Sequence, residues 1–210
     1  ISNNSVISTD NYYYSYGGGV YCGNNSTVTF TNCRIMNNTA QINYYHEAYG
    51  GGIYCASGSI VTLDNCVVSG NIGKVTYDYS AYGAGICSEG FVLTITESDI
   101  SNNILEAAGS YADDAYGAGI YCSAVLTIDN STINNNYFEG DNLITKKGGG
   151  IYATSSVTMT DCTIDGNEYE GVYSTSPNAI YTSCTVSNSG TRGIDSGSSS
   201  TFSQCTITNS

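Results

Sequence analysis

Three aspartates at outward positions of similar segments, Asp64, Asp129 and Asp161, come closest to a carboxylate cluster in this 210-residue sequence. Carboxylates gathered in that way hold calcium, or act as acid and base on a polysaccharide, with an Arg or Lys beside them. Here Asn32, Glu97 and Thr182 interrupt the series and no basic residue accompanies it, so a solvated face is the simpler reading. Asp113 and Asp114 lie in one insertion, and His46, the only histidine, stands beside Glu47 in another. Neither pair has the convergent partners that a mechanism needs, so no catalytic residue and no cofactor is expected.

The nine cysteines follow a repeat. Cys33, Cys66, Cys162, Cys184 and Cys205 share one position that Ser98 and Ser131 fill elsewhere, and Cys22, Cys55 and Cys122 share a second, where Ser88 and Ala153 substitute. Cys87 stands where a tyrosine is expected. Small buried size explains both columns. If equivalent positions stack about 4.8 Å apart, Cys22 with Cys55 and Cys33 with Cys66 fall within the Cα range of a disulfide, with stacked thiols the alternative. No CxxC spacing or set of histidines marks a metal site. Asn3, Asn24, Asn25, Asn37 and Asn130 match the N-glycosylation acceptor pattern.

Aromatic residues offer a different chemistry. Most of the twenty tyrosines lie in insertions that leave the repeat at one corner, including Tyr12, Tyr13, Tyr14, Tyr44, Tyr45, Tyr77, Tyr79 and Tyr111. Tyr16, Tyr49, Tyr82 and Tyr116 directly precede successive glycine boxes and should stack. Tyr21, Tyr54, Tyr121, Tyr152 and Tyr173 alternate with inward aliphatics and should form an outward ladder. Such a surface can stack on sugar rings, pack on another copy, or shield the wall beneath it.

The elements that position these residues are read from the period. Gly17-Gly18-Gly19-Val20-Tyr21-Cys22 returns as Gly50-Gly51-Gly52-Ile53-Tyr54-Cys55, and related boxes end at Gly85, Gly119 and Gly150. A second landmark, from Cys33-Arg34-Ile35 to Cys205-Thr206-Ile207, marks seven coils. Each coil holds three short segments of period-two alternation, which predicts strands. Asn or Gly alone occupies the position of Asn3, Asn37, Gly70 and Asn102, as suits a left-handed turn. The next position carries Asn4, Asn38, Asn71, Asn103, Asn136 and Asn167, whose amides should form a hydrogen-bonded ladder. The pattern predicts an all-β, right-handed, single-stranded parallel β-helix of about seven coils. It forms one solenoid domain over 1–210, with long coils and Tyr-rich insertions over 1–170 and minimal coils over 171–210.

The Gly-Gly-Gly-Ile-Tyr boxes with their Ile-x-Asn-Asn turns resemble the repeats of bacterial polymorphic outer-membrane proteins, of autotransporter passengers and of other β-helical surface proteins of the pectate-lyase-like superfamily. The likeness covers nearly the whole chain, although Ile or Val stands where the membrane family has phenylalanine. It implies a surface role, and its lyase and polygalacturonase members keep a polysaccharide-active enzyme as one alternative.

Five basic residues against eighteen acidic ones give a formal charge of −13, which argues against nucleic acid as a partner. No run is apolar and long enough to span a bilayer, so direct membrane insertion is not expected. The leading expectation is a noncatalytic extracellular or cell-surface protein that builds a fibre, sheath or stalk. It would self-associate head to tail through strand pairing and laterally through its tyrosines. Ile1-Ser2-Asn3-Asn4 shares its phase with Ile207-Thr208-Asn209-Ser210, which suits either axial stacking or excision from a longer helix. A passenger-type adhesin that binds glycans is the main alternative.

Overall fold

In the computed structural model, which describes residues 1–10, 13–77, 79–107, 114–140, 145–197 and 199–209, every regular element is a β-strand. Tyr12, Tyr111, Asp113 and Ser210 lie outside the described residues. All strand pairs are parallel and join one coil to the next, giving three sheets of seven strands and two of five. Register follows the repeat: Val20 pairs with Ile53, Ile53 with Ile86 and Ile86 with Ile120.

Five coils carry five strands and the last two carry three. In the second coil these are Thr39–Ile42, Ala48–Tyr49, Ile53–Cys55, Ile60–Asp64 and Val67–Ser69. The last three correspond to the segments that alternation predicts. The first two are a departure, because the insertions are not loops over their whole length. Each runs out as a strand and returns as a strand, and successive insertions pair with one another. Ala40, Ile42, Ala48, Val75, Ala81 and Leu105 bury their side chains between these strands, which gives the insertions a core of their own. Small residues at alternate positions make that core thin enough to fold back beside the main column.

The main column is built from the predicted inward positions. Val61, Leu63, Leu93, Ile95, Leu126, Ile128, Val157 and Met159 are fully buried, while Val28 and Phe30 of the first coil are half-buried. In the narrower sixth coil Tyr181 takes the inward place and is 0 % exposed, stacked at 4.9 Å on Phe202. Residues with an outward-facing polar alternation complete the period-two pattern.

Two landmarks of the sequence meet at the root of the insertions. Asn38, Asn71, Asn103 and Asn136 are wholly buried, and each passes its Nδ2–H to Oδ1 of the next at 2.9–3.0 Å. Each Oδ1 also accepts the backbone N–H of the preceding ladder residue, as Asn103 does from Asn71 at 3.0 Å. The second amide hydrogen goes to a carbonyl, that of Val68 in the case of Asn103. A Cβ on Gly85 would stand 2.5 Å from the Gly119 carbonyl and 2.9 Å from Nδ2 of Asn103, so the last glycine of the box is the space that the ladder occupies. The turn residue before the ladder is left-handed as expected, with φ of 55° at Asn37, 65° at Gly70 and 55° at Asn102.

Candidate functional site

The boxes direct the tyrosines. Because Gly50 has φ +64° and a Cβ there would meet the Ile53 carbonyl at 2.3 Å, the returning strand turns sharply and lays Tyr49 over the sheet that begins at Ile53. Register then stacks Tyr16 on Tyr49 at 5.2 Å, Tyr49 on Tyr82 at 4.9 Å and Tyr82 on Tyr116 at 5.7 Å. The second column pairs Tyr21 with Tyr54 at 5.5 Å, Tyr121 with Tyr152 at 5.5 Å and Tyr152 with Tyr173 at 5.3 Å.

Alternation predicts that the second column faces outward, and the structure corrects this. The first column leans across it: Tyr16 meets Tyr54 at 4.6 Å, Tyr82 meets Tyr121 at 5.0 Å and Tyr116 meets Tyr152 at 4.7 Å. Tyr54 keeps only 5 % exposure and Cys87, between Tyr54 and Tyr121 in register, keeps none. The two columns form one aromatic seam along the rod, with offset and edge-on contacts favoured by ring quadrupoles. Most of the nine ladder tyrosines are therefore half-buried wall, with Tyr21 the exposed exception at the first coil.

Three hydroxyls of the seam have partners within the chain. The Tyr54 hydroxyl donates to Glu89 at 2.5 Å and that of Tyr116 to Asp114 at 2.9 Å. Lys147 stands in register after Tyr116, donates to the Tyr173 hydroxyl at 3.0 Å and holds its ammonium 4.5 Å from the ring centre. Burial lifts the phenols of Tyr49, Tyr54, Tyr82 and Tyr121 above the ordinary range and that of Tyr16 to about 12.

What solvent meets is the tip of the insertions. Tyr44, Tyr45 and Tyr77 are 39, 49 and 45 % exposed, with Tyr13 and Tyr14 also exposed on the first coil. Tyr44 and Tyr77 lie near parallel at 6.3 Å and 14°, Tyr45 packs on Tyr77 at 5.3 Å, and His46 packs on Tyr14 at 4.6 Å.

The aspartates do not converge. Asp64 and Asp129 share a column with Thr31, Thr96 and Thr160, so a threonine separates them, and Thr96 donates to Asp64 at 3.1 Å. Asp161 belongs one residue further on, at a left-handed corner with φ 52° that Asn32, Asn65 and Asn130 also occupy. Among the described residues no three of His, Cys, Asp and Glu gather around a common metal position. The acceptor asparagines Asn3, Asn24, Asn25, Asn37 and Asn130 are all exposed, whereas Asn38, Asn71, Asn103, Asn136 and Asn167 are buried.

All nine cysteines are thiols, including the candidate pairs Cys22 with Cys55 and Cys33 with Cys66. In-register parallel strands hold their Cβ atoms about as far apart as their Cα atoms, roughly 4.8 Å, beyond the separation of about 3.5–4.5 Å that a disulfide prefers. The Cα criterion alone misses that. The Cys/Ser column has a further role that size does not explain. Ser98 and Ser131 donate to the carbonyl two residues back at 2.7 Å, and Cys66, Cys162 and Cys184 do the same at 3.3, 3.1 and 3.3 Å. The same atoms accept from the previous coil: Cys33 N–H meets Cys66 Sγ at 3.4 Å and Cys66 N–H meets Ser98 Oγ at 3.0 Å.

Glu168 and Glu170 carry a role that the sequence reading does not find. They stand where the insertions cease; Glu168 supplies an oxygen to the last outgoing strand, Tyr137–Glu139, and Glu170 to the residue that follows the last returning strand, Thr145–Lys147. Phe138 N–H donates to Glu168 at 2.7 Å and Gly148 N–H to Glu170 at 2.9 Å. Acidic residues placed where the period shortens are the signal that could have revealed them.

Residues 51–210, about three quarters of the chain, match the family model described as right handed beta helix region. No curated protein and no solved structure matches the chain.

Proposed function

The chain belongs to the right-handed β-helix family, and we propose that it serves as a noncatalytic structural rod of the cell exterior, a length of fibre, sheath or stalk. Axial pairing of coils gives it length and its tyrosine-rich side makes lateral contacts. The observation that carries this reading is the aromatic side itself: an internally packed seam that stiffens the insertions, crowned by exposed Tyr13, Tyr14, Tyr44, Tyr45 and Tyr77. Rigid rings with few rotatable bonds lose little entropy when they are buried against a neighbour. Light scattering and negative-stain microscopy over rising concentration test it; side-by-side bundles support the rod, and dispersed short particles at every concentration remove it.

A second reading, the glycan-binding passenger-type adhesin, is favoured by one feature. Tyr44 and Tyr77 present near-parallel, exposed rings that can serve as a platform for a sugar face. Glycan-array binding by particles that remain monomeric would select it over the rod.

A further inference from the structure

Among the described residues, Tyr77 is the one exposed ring that touches two other exposed rings. It lies 5.3 Å from Tyr45, tilted by 57°, and 6.3 Å from Tyr44. Elsewhere among the described ring contacts at least one partner is half-buried or buried, as where exposed Tyr21 meets Tyr54. The three phenols come from the tips of two successive insertions, in coils that no disulfide joins. Centroids at 5.3 Å with a steep tilt bring ring carbons of the pair into van der Waals contact.

We propose that the insertion tip is a site of oxidative tyrosine coupling, in which Tyr77 joins Tyr45 or Tyr44 through a carbon–carbon bond between ring positions ortho to the hydroxyls. The oxidant is hydrogen peroxide acting through a haem peroxidase. Each phenol gives up one electron and one proton to become a phenoxyl radical. The two radicals combine at ortho carbons, and the hydrogens on those carbons move to the oxygens and restore both phenols. In total two tyrosines lose two hydrogen atoms, and one hydrogen peroxide is reduced to two waters.

Apart from exposed Tyr21, the seam tyrosines are shielded from this reaction by the contacts that build the seam. Tyr54 is buried and Tyr49 and Tyr82 are stacked face to face, so a peroxidase or a diffusing radical meets the tip first. Of the competing thiols, seven are buried and only Cys33 and Cys205 are half-exposed. The product would staple the second insertion to the third without altering the coil beneath. The same chemistry between two rods would make a lateral contact permanent. The intramolecular link needs only the tip geometry and an oxidant, so it stands or falls apart from the role of the rod in assembly.

The test is treatment of dilute protein with horseradish peroxidase and hydrogen peroxide, followed by dityrosine fluorescence, intact mass and peptide mapping after alkylation of the thiols. The expected product is monomeric, lighter by two hydrogens, and linked between the peptide of Tyr77 and that of Tyr44 and Tyr45. Tyr77→Phe keeps the ring and its packing but cannot form the phenoxyl radical, and it should lose most of the fluorescence. Circular dichroism matching the parent confirms that this variant is folded. Links that map to other tyrosines, absence of any monomeric dityrosine, or full fluorescence in Tyr77→Phe would each overturn the proposal.

Discussion

Asn71 delivers both its side-chain amide and its backbone N–H to a single atom, Oδ1 of Asn103, each at 3.0 Å. Asn103 repeats the arrangement with Asn136 at 2.9 and 3.0 Å. The ladder therefore closes the hydrogen bonding of the coil at the point where an insertion leaves it, on side chains that are wholly buried.

Replacing Asn103 with Ala should cost on the order of 3–5 kcal/mol, because the amide of Asn71 and the carbonyl of Val68 would be left buried and unpaired. The adjacent turn behaves differently. At Asn102, with φ 55°, Gly should be tolerated within about 0.5 kcal/mol, whereas Val should cost about 1–2 kcal/mol. Urea unfolding of the three variants checks the order.

The Cys/Ser column predicts that Cys66→Ser is accommodated, since Ser98 and Ser131 already fill equivalent positions with the same donor and acceptor pattern. Its midpoint in urea should stay within about 1 kcal/mol of the parent. Cys66→Ala strands the N–H of Cys33 and should cost more, about 1–3 kcal/mol. If Ala proves the milder change, size alone governs the column.

Glu170 is expected to protect the last insertion strand. In Glu170→Ala the amide of Gly148 loses its acceptor, and the exposed strand edge becomes free to pair with other chains. Hydrogen exchange at Gly148 should speed up while that at Gly52, deep in the stack, stays unchanged. Equal acceleration at both glycines would mean that the glutamate acts on global stability rather than as an edge cap.

The seam sets an alkaline limit. Burial raises the folded-state pKa values of Tyr49, Tyr54, Tyr82 and Tyr121, and that of Tyr16 to about 12. The neutral form is thus favoured in the fold, so the contribution to stability is complete below the ordinary phenol pKa of about 10. It is lost as pH rises from there through the folded values, because the unfolded chain ionises first. Phenolate absorbance of the seam and loss of β-sheet circular dichroism should rise together above about pH 10. Complete seam ionisation with the sheet signal intact would contradict the buried seam.

Much of this was legible in the sequence because a solenoid turns sequence period directly into spatial neighbourhood. Ile53 pairs with Val20 and Ile86 as the spacing of the boxes implies, and Leu63 and Ile95 pair as the alternation implies. The misses share a cause: the period tells which residues stack, but not what folds over the stack. Tyr54 looks outward by alternation, and only the return of the insertion strand with Tyr16 and Tyr49 covers it. Asp64 and Asp161 look alike until register shows one on a strand and the other at a corner. Tyr181 shows the reverse effect, an aromatic drawn inward where the coil has lost its insertion.

The central claim, that the tyrosine tips make lateral contacts between rods, is tested most directly by sedimentation velocity of the parent beside a variant with Tyr44, Tyr45 and Tyr77 all changed to Ser. These side chains are exposed, so the variant should keep the parent's circular dichroism. The parent should shift to larger, concentration-dependent species while the variant remains a single slow boundary. A parent that sediments as one unchanging short particle, or a variant that associates as strongly as the parent, would contradict the account.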